Sequence, residues 1–159
     1  LETGKISADI FCNEIRIIGE ISSPNNDIID AWNSMLLDFP QERFDFLKTI
    51  NKRYNSFLLS NTNSIHLEAL NKLILEKNNV SNLNSYFLAT YYSHLVGLRK
   101  PHPEIFQHVI DDNNLNPEST LFIDDSVQHV NGAKSIGIQS VLLDTNKETV
   151  INKLSFLLT

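Results

Sequence analysis

The sequence predicts an α/β protein in which a small helical lobe precedes a parallel sheet. Residues 7–52 contain three helix-like segments in a row with no strand between them, which indicates a helical lobe. From residue 55 onward, short apolar segments alternate with amphipathic ones, a pattern typical of parallel strands joined by helices. We therefore expect a helical domain over residues 1–54 and a sheet domain over residues 55–159.

The three helices of the lobe are predicted from the spacing of apolar residues and from their ends. Ser7 is a suitable N-cap for the first helix, which is expected to stop at Gly19. A second helix is expected over residues 27–38, because Pro40 interrupts the pattern there. A third amphipathic segment follows over residues 41–52.

The elements of the sheet domain follow the same logic. Apolar segments predict strands over residues 55–59, 120–123 and 139–143. Helical spacing predicts helices over residues 65–78, 103–110 and 147–157, and a further helix between Asp125 and Gly137. Residues 86–98 are aromatic and rich in strand formers, but helical stretches also fit them, so both interpretations stay open.

The composition restricts the classes of partner. The net charge is -6, with 13 Lys and Arg against 19 Asp and Glu, and no basic run occurs, which argues against a nucleic-acid partner. No apolar run reaches membrane-spanning length, which argues against a membrane partner. Cys12 is the only cysteine and lies among apolar residues, so we expect a buried thiol in a cytoplasmic, reducing environment. The oligomeric state is left open.

Three polar features follow predicted strands or lie in loops of the sheet domain. Ser60 and Asn61 begin a polar run that offers hydroxyl, amide and backbone N–H groups to a phosphate, or simply caps the next helix. Lys100 lies beside prolines and suits an anionic group, or is a solvated loop residue. Asp124 and Asp125 follow an apolar strand and could hold Mg²⁺, or form a surface turn that caps a helix.

These features resemble three sequence motifs of the haloacid dehalogenase (HAD) superfamily, in the same order. The motifs are Leu-Ser-Asn-Thr-Asn at 59–63, Arg-Lys-Pro-His-Pro-Glu-Ile-Phe at 99–106 and Phe-Ile-Asp-Asp-Ser at 122–126. The resemblance covers residues 55–145, and residues 1–54 resemble the helical cap of the family. Residues 1–7 are similar to cap entries in the branch of sugar-phosphate phosphatases that resemble glucose-1-phosphate phosphatase.

The resemblance implies a fold and a set of roles. The core would be a Rossmann-like parallel sheet, and the chain would belong to a Mg²⁺-dependent phosphatase of a small phosphorylated metabolite, such as a sugar phosphate. Ser60 and Asn61 would bind the transferring phosphoryl group. Lys100 would neutralise it and orient the nucleophile, and Asp124 and Asp125 would hold Mg²⁺.

The sequence departs from the family pattern at the first motif. That motif is Asp-x-Asp after the first strand, its first Asp being the nucleophile, and the pattern occurs nowhere in these 159 residues. We expect the sequence to be a fragment without that first core strand and inactive by itself. Two alternatives stay open: a dehalogenase, which in the family needs no Mg²⁺, and a non-catalytic phosphate-binding or interaction module.

The five histidines share no spacing typical of metal ligands. We expect all of them on helix surfaces or in loops, with His102 the one nearest the predicted site.

Overall fold

The computed structural model describes residues 1–158. They form two compact units, the first from Leu1 to Gly97 and the second starting at Leu98. These units are defined by compactness, whereas the predicted cap and core are defined by their functions. The predicted boundary at residue 54 therefore stays a prediction.

The first unit contains five helices and two strands. Their bounds are α1 Ala8–Gly19, α2 Asn25–Asn33, α3 Gln41–Ile50, β1 Phe57–Ser60, α4 Ser64–Asn78, β2 Ala89–Tyr92 and α5 Ser93–Val96, with a 3-10 turn at Asn84–Tyr86. Ser7 caps α1 as predicted, its hydroxyl accepting a hydrogen bond from the backbone N–H of Ile10 at 3.3 Å. The ambiguous segment 86–98 resolves into β2 followed directly by α5.

The second unit contains three helices and two strands among its described residues. They are α6 Pro103–Asp112, β3 Leu121–Asp124, α7 Val127–Lys134, β4 Gln139–Leu142 and α8 Val150–Lys153, with 3-10 turns at Pro117–Ser119 and Ser155–Leu158. Pro103 occupies the first turn of α6, where its missing N–H costs no hydrogen bond.

The strands pair in parallel, as predicted for an α/β fold. In the first unit β1 pairs with β2 in a register that places Ser60 opposite Tyr92. In the second unit β3 pairs with β4, with Asp124 opposite Leu142. Because parallel strands end at the same edge, the polar segments that follow these strands lie at the carboxyl edges of their sheets.

Each unit has its own apolar core. In the first, Phe11, Cys12, Ile28 and Ile65 form one buried cluster, and a second is made by Phe44, Ile74 and Leu83. In the second unit the most deeply buried apolar side chains are Ile105, Phe106, Val130 and Ala133. The predicted burial of Cys12 is confirmed, since its side chain is fully excluded from solvent.

Two predicted helices are wrong in extent. The second ends at Asn33 instead of residue 38, because the chain tightens into a turn in which the Ser34 hydroxyl donates to the carbonyl oxygen of Ala31 at 2.7 Å. The last predicted helix is replaced by α8 and a 3-10 turn. Thr149 caps α8, its hydroxyl oxygen accepting a hydrogen bond from the backbone N–H of Asn152 at 3.2 Å.

None of the helices within residues 1–158 combines the length and the apolar character needed to cross a lipid bilayer.

Candidate active site

Lys100 and Asp124 form a buried ion pair in the second unit. Nζ of Lys100 donates to Oδ2 of Asp124 at 2.7 Å, and the two side chains are only 8% and 9% exposed. The Lys100 ammonium also lies 5.5 Å from the centroid of the Phe122 ring. A buried charge is costly unless it is paired and hydrogen-bonded, so each partner requires the other. The expectation of a solvated loop lysine is therefore excluded.

The second oxygen of Asp124 is held by groups at the start of α7. Oδ1 accepts hydrogen bonds from the backbone N–H of Ser126 and from Nδ1 of His129, both at 2.9 Å. Burial by itself raises the pKa of Asp124, but the hydrogen bond and charge of Lys100, together with Ser126 and His129, outweigh burial and hold the pKa below its usual value. Asp124 is therefore an ionised carboxylate fixed in one orientation.

His129 corrects one expectation from the sequence. It lies in the first turns of α7 and contacts Asp124, whereas His102 is exposed at the N-cap position of α6. The sequence gives only a weak indication that His129 contacts Asp124. His129 lies five residues after Asp124, and a side chain in the first turns of a helix can reach back to a residue just before that helix.

The acidic pair offers limited but suitable oxygen ligands for a metal. An ionised carboxylate has about four lone-pair positions, and Asp124 accepts three hydrogen bonds, which leaves about one position free. Asp125 is exposed next to it. Among residues 1–158 no three His, Cys, Asp or Glu side chains are grouped as a metal centre. The set fits Mg²⁺, which takes one or two carboxylates and keeps several waters.

The segment that carries Lys100 lies tightly against α7. A Cβ atom built on Gly132 would overlap the carbonyl oxygen of Pro101 and come within 2.9 Å of a ring carbon of Phe106. Only a glycine at position 132 lets α7 approach the Pro101 backbone this closely. Gly132 thereby fixes the chain immediately after Lys100.

The predicted phosphate-binding segment lies in the first unit, directly after β1. Ser60 is the last residue of that strand, and Ser60 and Asn61 are both partly exposed. Asn63 is almost completely buried, and its side chain caps α4 by accepting from the N–H of His66 at 3.0 Å. Asn63 is therefore the residue that caps α4, and the Ser60 side chain is not needed for capping.

Two residues that the sequence did not indicate contact this segment. The hydroxyl of Ser93 makes two hydrogen bonds with the backbone of Thr62. Burial lowers the pKa of the next residue, His94, and a backbone hydrogen bond with Thr62 offsets part of that shift. Both residues follow β2, so the parallel pairing of β1 and β2 brings them to Thr62.

The lowered pKa of His94 predicts a pH-dependent stability. Unfolded chains bind the His94 imidazole proton more readily than the folded protein. The contribution of His94 to the free energy of unfolding is therefore largest above pH 6.5 and is lost as the pH falls through the folded-state pKa. We expect His94→Gln to reduce this loss, measured by urea unfolding above and below pH 6.5. The control His102→Gln, at an exposed site, should retain the wild-type loss; an unchanged loss in His94→Gln would contradict the assignment.

Comparison with known proteins identifies the family. The family model of haloacid dehalogenase-like hydrolases matches residues 69–143. The structure is similar to that of a predicted HAD-like family hydrolase from Porphyromonas gingivalis, with a TM-score of 0.87 and 33% identity over 99% of this chain and 76% of that one. The chain therefore belongs to the haloacid dehalogenase-like hydrolases, and the predicted Rossmann-like α/β fold is confirmed.

Two further relatives place the chain among the phosphatases of this family. A curated D-ribitol-5-phosphate phosphatase from Bacteroides thetaiotaomicron is 29% identical over 140 residues, 88% of this chain and 68% of the relative. A HAD family enzyme from the same species, solved with magnesium and inorganic phosphate, has a TM-score of 0.81 and 32% identity over 94% of this chain and 75% of that one. The chain is thus a HAD-like hydrolase of the phosphatase type.

Proposed function

We propose that the gene product carrying this sequence is a Mg²⁺-dependent phosphatase of a small phosphorylated metabolite. The observation that carries the proposal is the buried pair of Lys100 and Asp124, followed by the exposed carboxylate of Asp125. A cation beside hard oxygen ligands suits phosphoryl transfer, because in that reaction the protein mainly positions the reacting groups and neutralises the charge of the phosphoryl oxygens. The relatives with magnesium, phosphate and a sugar-alcohol phosphate substrate support the same reaction class.

We propose that Ser60 and Asn61 bind the phosphoryl oxygens. Ser60 ends β1 and is partly exposed, so its hydroxyl is accessible at the carboxyl edge of the strand. α4 starts three residues after Asn61 and contributes the positive end of a helix dipole, which favours an anion. The hydroxyl and amide groups would supply hydrogen-bond donors without adding charge.

Lys100, Asp124 and Asp125 would supply the charges. Lys100 would neutralise the phosphoryl oxygens and orient the attacking group, and its pairing with Asp124 fixes its direction. Asp124 and Asp125 would hold Mg²⁺, which polarises phosphoryl oxygens when it is bound. The 159 residues contain no Asp-x-Asp pair, so the proposal assigns no nucleophile among them.

The substrate class proposed here is supported by a relative and not by the geometry of the site. The curated relative acts on D-ribitol 5-phosphate, so phosphorylated sugars and sugar alcohols are the first compounds to test. We expect Ser60→Ala in the intact gene product to raise KM for such a phosphate monoester by about tenfold, because one hydrogen bond to a charged oxygen is lost. Ser81→Ala, at an exposed site, is the matched control and should retain the wild-type KM.

The same assay separates the phosphatase from the dehalogenase. The intact gene product is supplied with phosphate monoesters and, separately, with short haloalkanoates. Phosphate release that responds to Ser60→Ala supports the proposal. Halide release without phosphate release would overturn it in favour of the dehalogenase, and phosphate binding without turnover would favour the non-catalytic module.

A further inference from the structure

The hydroxyl of Ser93 holds the backbone of the proposed phosphate-binding segment in place through hydrogen bonds with Thr62. Ser93 is fully buried, and its Oγ both accepts from the N–H of Thr62 and donates to the carbonyl oxygen of Thr62, each at 3.0 Å. One hydroxyl has one proton and two lone pairs, so a single side chain satisfies both backbone groups of Thr62. Neither backbone group of Thr62 then depends on water or on a ligand.

These two bonds continue the strand pairing past its end. The backbone ladder between β1 and β2 stops with Ser60 opposite Tyr92. Ser93 is the residue after Tyr92, and its side chain reaches Thr62 two residues after Ser60. The backbone is therefore fixed on both sides of Asn61, at Ser60 by the strand pairing and at Thr62 by the hydrogen bonds of Ser93.

We propose that Ser93 is a positioning residue for phosphate binding, an inference that rests on the function proposed above. It does not touch the phosphate; it sets the path of the backbone from Ser60 to Thr62, and so the direction of the Ser60 hydroxyl and of the Asn61 amide. A preformed anion site binds more tightly than one that must be ordered by its ligand, because the ordering entropy is already lost. Without the hydroxyl, the two backbone groups of Thr62 lose their partner.

The test compares Ser93→Ala with Ser93→Thr in the intact gene product. Ser93→Ala should raise KM for a phosphate monoester and the inhibition constant of inorganic phosphate by about tenfold, with a much smaller change in kcat. Ser93→Thr keeps the hydroxyl and should restore part of the affinity. Cys12→Ala shortens another fully buried side chain of the first unit, one that packs with Phe11 and Ile28, and should lower stability while leaving KM unchanged.

If Ser93→Ala does not fold, a measurement on the wild-type protein still tests whether Ser93 holds the backbone of Thr62. The Thr62 amide should exchange its hydrogen more slowly than exposed loop amides such as that of Ser81, because Ser93 accepts its hydrogen bond. Fast exchange at Thr62 would overturn the inference.

The outcomes also separate this inference from the proposed function. Wild-type turnover that responds to Ser60→Ala but not to Ser93→Ala would overturn the positioning function alone. A wild-type protein that neither binds inorganic phosphate nor releases it from phosphate monoesters would overturn the proposed function, and this inference with it.

Discussion

Lys100→Ala should reduce phosphate release by the intact gene product at least about 100-fold, because a preorganised cation is removed from the charged group that develops in the reaction. It should also lower the free energy of unfolding by about 3–5 kcal/mol, since the buried Asp124 carboxylate loses the charge of Lys100 and keeps the hydrogen bonds from Ser126 and His129. Steady-state kinetics and urea unfolding measure the two effects separately. The double variant with Asp124→Asn should recover part of the stability and none of the activity.

The control for Lys100→Ala is a lysine in an exposed pair. Lys147 lies 2.8 Å from Asp144 with its side chain 81% exposed, so Lys147→Ala should change the free energy of unfolding by no more than about 0.5 kcal/mol and leave turnover intact. Wild-type activity in Lys100→Ala would show that this lysine takes no part in the reaction.

Gly132→Ala should impair both stability and turnover, although position 132 carries no reactive group. The added methyl would overlap the carbonyl oxygen of Pro101, so α7 or the segment next to Lys100 must move. Such overpacking typically costs about 1–3 kcal/mol. We expect a lower kcat as well, because the Lys100 ammonium moves away from the position that Asp124 now fixes.

Gly19→Ala is the matched control for this substitution. A Cβ at position 19 would meet only the Ile21 side chain at 3.7 Å, an ordinary contact, and the position ends α1. It should therefore be neutral or stabilise the protein by up to about 1 kcal/mol. Equal melting temperatures and kinetics for Gly132→Ala and Gly19→Ala would contradict the close approach of α7 to Pro101.

The alternation of strands and helices was predictable because each segment carries its own periodicity. Lys100 and Asp124 could be selected as candidate site residues because they lie in motifs that resemble those of the HAD superfamily, whereas their residue types alone left a solvated lysine and a surface turn open. Their direct pairing was not predictable from spacing, because it depends on how α7 packs against the Pro101 backbone. That packing depends on the absence of a side chain at Gly132, which leaves no positive signal in the sequence.

Ser93 and His129 show why the supporting contacts were missed. Ser93 lies where β2 passes directly into α5, so neither the period of a strand nor that of a helix distinguishes it. Its partner Thr62 is 31 residues away, and only the β1–β2 register brings them together. His129 reaches Asp124 from the next helix, and this orientation depends on where α7 begins. Contacts that depend on the strand register or on where a helix begins can be identified only from the three-dimensional structure.

The measurement that tests the central claim most directly is phosphate release from D-ribitol 5-phosphate by the intact gene product, with added Mg²⁺ and with a chelator. We expect release with Mg²⁺ that is abolished by the chelator and restored by excess Mg²⁺, because Asp124 and Asp125 would supply the protein ligands of the metal. A series of other sugar phosphates in the same assay tests the substrate class separately. Release that is unaffected by the chelator, or no release from any phosphate monoester, would contradict a Mg²⁺-dependent phosphatase.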